Sequence, residues 1–139
     1  MDTNKVELNL ESKLANIGVV VSAVEKMLNE AKVYGKSHVK ICIATEEIFA
    51  NIANYAYEDG EGDVLVKISL EEDPKAMTIC FIDSGIPYDP LAKPDPDIEL
   101  SATKRQIGGL GIFMVKKSMD EMHYERSDGH NILTIKKVL

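Results

Sequence analysis

Apolar and polar residues alternate at the start of the chain. Val6, Leu8 and Leu10 are separated by Glu7 and Asn9, a period of two that predicts a short, half-buried strand. The period then lengthens. Leu14, Ile17, Val21, Val24, Leu28 and Ala31 recur at steps of three and four, which predicts a helix from about Ser12 to Val33 with one apolar stripe. Glu25, Lys26, Glu30 and Lys32 fall off that stripe, and Gly35 marks the end. Ser37 is the expected N-cap of a second helix, from about His38 to Tyr57. Ile41, Ala44, Ile48, Ile52 and Tyr55 form its core face. The cluster Asp59-Gly60-Glu61-Gly62-Asp63 is a turn, and Val64, Val66, Ile68 and Leu70 alternate as a strand after it. Glu71-Glu72-Asp73-Pro74 turns the chain into a denser apolar strand, Met77 to Ile82, and so short a connection implies an antiparallel pair.

From Asp83 to Ile107 the periodicity stops. This stretch carries Pro87, Pro90, Pro94 and Pro96 and little that would fill a core. Long stretches without periodicity inside a small domain are usually functional, and residues 86–107 are expected to form a mobile lid. The lid ends at Gly108-Gly109-Leu110-Gly111, which opens an apolar helix to about Met119. Tyr124 to Arg126, the turn Ser127-Asp128-Gly129, and Asn131 to Val138 close the chain as a hairpin. The order β-α-α-β-β-lid-α-β-β predicts one domain over 1–139. Its class is α/β (α+β): a two-layer sandwich whose mixed, mostly antiparallel sheet carries helices on one face.

Composition narrows the function. The chain has 139 residues, 45% hydrophobic and 28% charged, ordinary values for one globular domain. A net charge of -7 disfavours direct nucleic-acid binding. It would also repel a polyphosphate, so a nucleotide site here needs a divalent cation and local N–H donors. There is no charged-then-apolar leader and no apolar run of ~18 residues, which predicts a cytoplasmic protein without membrane contact. Cys42 and Cys80 have no metal-like spacing and read as buried thiols. His38, His123 and His130 show no triad or metal spacing and take no role.

Three stretches carry candidate chemistry. Gly108, Gly109 and Gly111 precede a helix whose free N–H groups and dipole favour an anion, phosphate above all, although a glycine hinge before a core helix has the same pattern. Glu47 and Asn51 stand one turn apart on one helix face. A carboxamide oxygen suits Mg2+, which leaves the carboxylate free as a base; a solvated helix face is the plain alternative. Glu46 is rotated about 100° from Glu47, so the two cannot share a site. Asp83-Ser84-Gly85 follows a strand, where a carboxylate can accept a hydrogen bond from an exocyclic amine and a glycine lets a flat base approach; it also reads as a simple turn. Thr134, on the last strand, is a candidate for the same ligand, and Lys104 and Arg105 would supply positive charge beside the phosphates.

In this order the stretches resemble the GHKL ATPase superfamily with its Bergerat ATP-binding fold. Glu47-Ile48-Phe49-Ala50-Asn51 looks like the N-box, Asp83-Ser84-Gly85 like the G1 box, and Gly108-Gly109-Leu110-Gly111 like the G2 box. Asp83 to Pro90, Gly108 to Glu121 and Gly129 to Thr134 resemble the small RsbW-type anti-sigma-factor serine kinases in particular. The resemblance implies ATP and Mg2+ as cofactors. By it, Asn51 holds Mg2+, Glu47 is the general base, Asp83 accepts the adenine amine, Gly85 lies beside the base, the three glycines cradle phosphate, and Thr134 matches a threonine near adenine. It further implies a STAS-type anti-sigma-factor antagonist as phosphoacceptor and a sigma factor as bound partner. RsbW-like proteins are commonly homodimers, and a monomer fits these residues equally. Pro87 stands where the general G1 pattern has a second glycine, and Tyr55 where many members carry His or Lys. One rival reading is a nucleotide-binding switch that transfers nothing. Another, a detached sensor-kinase module, is disfavoured because no acceptor hairpin precedes the N-box.

Overall fold

The computed structural model describes residues 4–58, 62–92 and 109–139, with positions 109 and 110 described by backbone alone. The strands are β1 (Asn4–Glu11), β2 (Asp63–Glu71), β3 (Ala76–Asp83), β4 (Glu121–Ser127) and β5 (His130–Val138). The helices are α1 (Ile17–Glu30), α2 (Lys36–Tyr55) and α3 (Gly109–Ser118), with short 3-10 turns at Leu14–Asn16 and Pro90–Ala92. The sheet order is β1-β2-β3-β5-β4, and every neighbouring pair is antiparallel. The expected sandwich is present, and its described sheet is antiparallel throughout rather than mixed.

Side-chain parity builds the core. Successive residues of a strand point to opposite faces, so the pairing register lines up rows across the helix-covered face. Ile68, Ile79 and Ile135 form one row, and Val66, Phe81 and Leu133 the next. All six are nearly inaccessible to solvent and pack in one cluster with α1, α2 and α3. The following row, Val64, Asp83 and Asn131, turns polar at its last two positions. Asp83 and Asn131 are nevertheless buried. The same parity that fills the core thus sets two polar side chains at its rim.

The helices differ from expectation at their ends. Leu14 is 54% exposed, because it sits in the 3-10 turn before α1 and outside the 3.6-residue period. The buried line of α1 is Val20, Val24, Met27 and Leu28. Gly35, at φ +84°, takes the N-cap position of α2, and Ser37 lies inside the helix without capping it. Ile41, Ala44, Ile48, Phe49 and Ile52 of α2 are buried in the shared core, while Tyr55 is exposed. In the β4–β5 hairpin, Asp128 and Gly129 both adopt positive φ, the two-residue turn that matches the natural twist of paired strands. Among the described residues no helix is long and apolar enough to cross a membrane.

Phe49 is fully buried where α2 meets the sheet. Phe49→Ala is expected to lower unfolding free energy by ~3–5 kcal/mol in urea titrations. A loss below about 1 kcal/mol would contradict this packing.

Candidate functional site

A cleft opens between the C-terminal half of α2 and the ends of β3 and β5. Ile48, Asn51, Ile52, Tyr55 and Ala56 line one side, and Asp83, Asn131 and Leu133 the other. Tyr88, Pro90 and Tyr124 complete the rim. The space between its lining atoms is about 380 Å3, part of it open solvent.

At the back of the cleft, Asp83 Oδ1 accepts two hydrogen bonds, from Gly85 N at 2.9 Å and from Asn131 Nδ2 at 2.9 Å. Its other oxygen accepts none among the described residues. Asn131 is fully committed. Nδ2 also donates to Ile86 O at 2.8 Å, and Oδ1 accepts from Tyr88 N at 3.3 Å and from the Tyr124 hydroxyl. One carboxamide therefore joins β3, β4, β5 and the first residues of the expected lid.

The chain leaving β3 crosses the end of α2 very closely. Ile86 N donates to Ala56 O at 2.8 Å. A Cβ on Gly85 would come within 2.1 Å of that same carbonyl oxygen and 2.6 Å of its carbon, so no larger residue fits without moving backbone. Arg126 Nη1 donates to Gly85 O at 2.9 Å. The Tyr57 hydroxyl accepts from Ser84 N at 2.8 Å and donates to Asp63 O at 2.6 Å. Burial raises the Tyr57 phenol above its usual value, which keeps it protonated for that donation.

Asn51 is 9% exposed, lines the cleft, and its carboxamide makes no hydrogen bond among the described residues. The carboxamide faces the cleft rather than a protein partner, so a bound group can reach it. Its oxygen is the hard donor that Mg2+ takes, so the residues present fit that ion together with a phosphate-bearing ligand. Glu47, one turn earlier, is half-buried and reaches α3. A Cβ built on Gly111 would lie 2.1 Å from Glu47 Oε2. The expected N-box and G2 stretches thus meet face to face, and glycine at position 111 leaves the room the carboxylate occupies.

Asn51 and Asp83 thus line one cleft, Gly85 abuts Ala56 at the end of α2, and Glu47 lies against Gly111 of α3. Gly109 is the first residue of α3. Lys104, Arg105, Gly108 and most of the expected lid lie outside the described residues. Thr134 requires a correction. It stands an odd number of positions from Asn131, so it points to the opposite sheet face, where its hydroxyl lies 3.6 Å from Cys80 Sγ, its register partner. The β5 residues that reach the cleft are Asn131 and Leu133. A signal for Asn131 was present in the sequence: it shares parity with Leu133 and Ile135, and a polar residue on a core face is the informative exception.

The fold is a two-layer α/β sandwich with a cleft at one end of its sheet, and comparison gives its family. Residues 10–137 match the model of the histidine kinase-like ATPase domain, and the chain belongs to that family. It is similar to the serine/threonine-protein kinase BtrW of Bordetella bronchiseptica, 26% identical over 95 residues, covering 68% of this chain and 66% of that one. It is also similar to the serine-protein kinase RsbW of Bacillus cereus, 22% identical over 138 residues, covering 96% and 85%. Among solved structures it resembles the RsbU and RsbW domains of a Mycobacterium tuberculosis chain, with TM-score 0.64, 18% identity, and coverage of 98% of this chain and 32% of that one. The Pseudomonas aeruginosa SiaB–SiaC complex matches with TM-score 0.63 and 17% identity, over 96% and 89%. The structural likenesses carry the fold.

The two glycines predict opposite outcomes. Gly85→Ala forces backbone apart and is expected to destabilise by about 1–3 kcal/mol in urea. Gly111→Ala meets only the tip of a movable carboxylate, so stability should stay within about 1 kcal/mol of wild type. Equal losses would contradict the geometry. On β5, Asn131→Ala should weaken binding in the cleft while Thr134→Ala leaves it unchanged, read by calorimetry with ATP.

Proposed function

We propose that the chain is an ATP- and Mg2+-dependent serine/threonine protein kinase that acts as an anti-sigma regulatory factor. It phosphorylates a STAS-type antagonist and sequesters a sigma factor. The observation that carries this reading is the placement of Asn51, unpaired in the cleft, one helical turn from Glu47, which sits against Gly111 at the start of α3. Membership of an ATPase family supports ATP as phosphoryl donor. The names of the kinases BtrW and RsbW support transfer to serine or threonine, and the two-protein SiaB–SiaC complex supports a protein partner.

In this mechanism the free oxygen of Asp83 accepts the adenine amine, and Asn131 holds that carboxylate in place through Oδ1. Gly108, Gly109 and Gly111 give the phosphates close approach to the first N–H groups of α3, with Lys104 and Arg105 adding positive charge. Mg2+ at Asn51 would offset phosphate charge, which a chain of net charge -7 otherwise repels. Glu47 takes the proton of the acceptor hydroxyl as that oxygen bonds to the γ-phosphorus. The bond from the γ-phosphorus to the bridging oxygen breaks, and ADP leaves with the electron pair. Positioning and charge neutralisation supply most of the acceleration in such a transfer.

Calorimetry with ATP is expected to show Mg2+-dependent binding that Asp83→Asn and Asn51→Ala each weaken while the fold is kept. Glu47→Ala should retain ATP binding and lose phosphorylation of a STAS acceptor by about 10²–10⁴-fold. Undiminished transfer in that variant would remove Glu47 as base. ATP binding without transfer by the wild type, across acceptors, would leave the chain a nucleotide-gated binding switch.

A further inference from the structure

Away from the cleft, three chemically different ligands converge. A carboxylate oxygen of Glu25 on α1, a ring nitrogen of His38 on α2 and the thiol sulfur of Cys42 on α2 all lie within 4.8 Å of one another. His38 and Cys42 are one turn apart and share a helix face. Glu25 meets them from the packed neighbour. Asn51 is thirteen residues further along α2 than His38 and nine further than Cys42, about 20 and 14 Å by helical rise, so the cluster is separate from the cleft.

The imidazole orientation gives the cluster its direction. His38 Nδ1 lies 3.0 Å from Val33 O, and a carbonyl cannot donate, so Nδ1 carries the hydrogen. In the neutral ring Nε2 then presents a lone pair, and it faces Glu25 Oε2 at 3.5 Å. The Cys42 sulfur lies beside both atoms, so three ligand types face one another. A backbone carbonyl on one ring nitrogen is also how proteins orient a histidine whose other nitrogen ligates metal.

We propose that Glu25, His38 and Cys42 form a Zn2+ site that clamps α1 to α2, with water as fourth ligand. Imidazole, thiolate and carboxylate together suit Zn2+ and not Mg2+, which prefers oxygen alone. Glu46, near Cys42, adds negative charge around the site. Uptake breaks the Cys42 S–H bond and forms a Zn–S bond, with the proton passing to solvent. The clamp closes over the α1–α2 connection, which contains the positive-φ residues Lys32 and Gly35. The proposal does not rest on the ATP reading.

The test uses the whole chain, treated with chelator and kept in excess Mg2+. Competition with a chromogenic chelator is expected to show one equivalent of Zn2+ bound, and Zn2+ should raise Tm by a few degrees. Co2+ substituted for Zn2+ should give a thiolate charge-transfer band. His38→Gln and Cys42→Ser should each weaken Zn2+ by at least roughly tenfold. Cys42→Ser should also abolish the Co2+ band, and Cys80→Ser should retain it. Absence of the band in folded wild type, or Zn2+ affinity unchanged in Cys42→Ser, would overturn the site. If Cys42→Ser fails to fold, the wild-type and Cys80→Ser spectra still decide the outcome.

Discussion

The hydrogen bond between Asn131 Nδ2 and Asp83 Oδ1 is the constraint on which the site depends. It lies at the rim of the core, in the row after Val66, Phe81 and Leu133. Burying a carboxylate is costly unless it is hydrogen-bonded, and here a carboxamide and the Gly85 N–H share one oxygen. The other oxygen remains for a ligand. Asn131 spends its remaining capacity on Ile86, Tyr88 and Tyr124, so the direction of the chain after β3 depends on the same side chain.

Helix α2 is the second organising element, because it serves several surfaces at once. Ile41, Ala44, Ile48, Phe49 and Ile52 bury one face against the sheet. Asn51 turns toward the cleft, Glu47 toward α3, and His38 and Cys42 toward α1. Its C-terminal end receives the Gly85 backbone at a distance that only glycine permits. Movement of this helix would therefore disturb the proposed base, the proposed metal ligands and the mouth of the cleft together.

Much of this was legible from periodicity. Alternation located β1 and β2, a dense apolar run β3 and a turn signal the closing hairpin, while steps of three and four located α1 and α2 and the glycine cluster the start of α3. The short motifs singled out Asn51 and Asp83, which line one cleft, and Glu47, which lies against Gly111 of α3. Errors fell where a local pattern met a non-local constraint. Ser37 has good capping chemistry, yet the positive φ at Gly35 sets the N-cap of α2 two residues earlier. Residue type favours Thr134 over Asn131, whereas β-strand parity sets the two on opposite faces of the sheet. His38 and Cys42 look unremarkable in sequence, because their third partner, Glu25, belongs to another helix.

By itself the sequence determined the element types, their order, the two-layer class and the family, since each is written in local spacing and short motifs. Tertiary structure alone decided that Asp83 shares a row with Asn131, that Gly85 abuts Ala56, that Glu47 occupies the space beside Gly111, and that Glu25 faces His38. The physical reason is that side-chain periodicity is a property of neighbouring residues. Register and helix–helix approach are set by packing between segments far apart in the chain, and no local spacing encodes them.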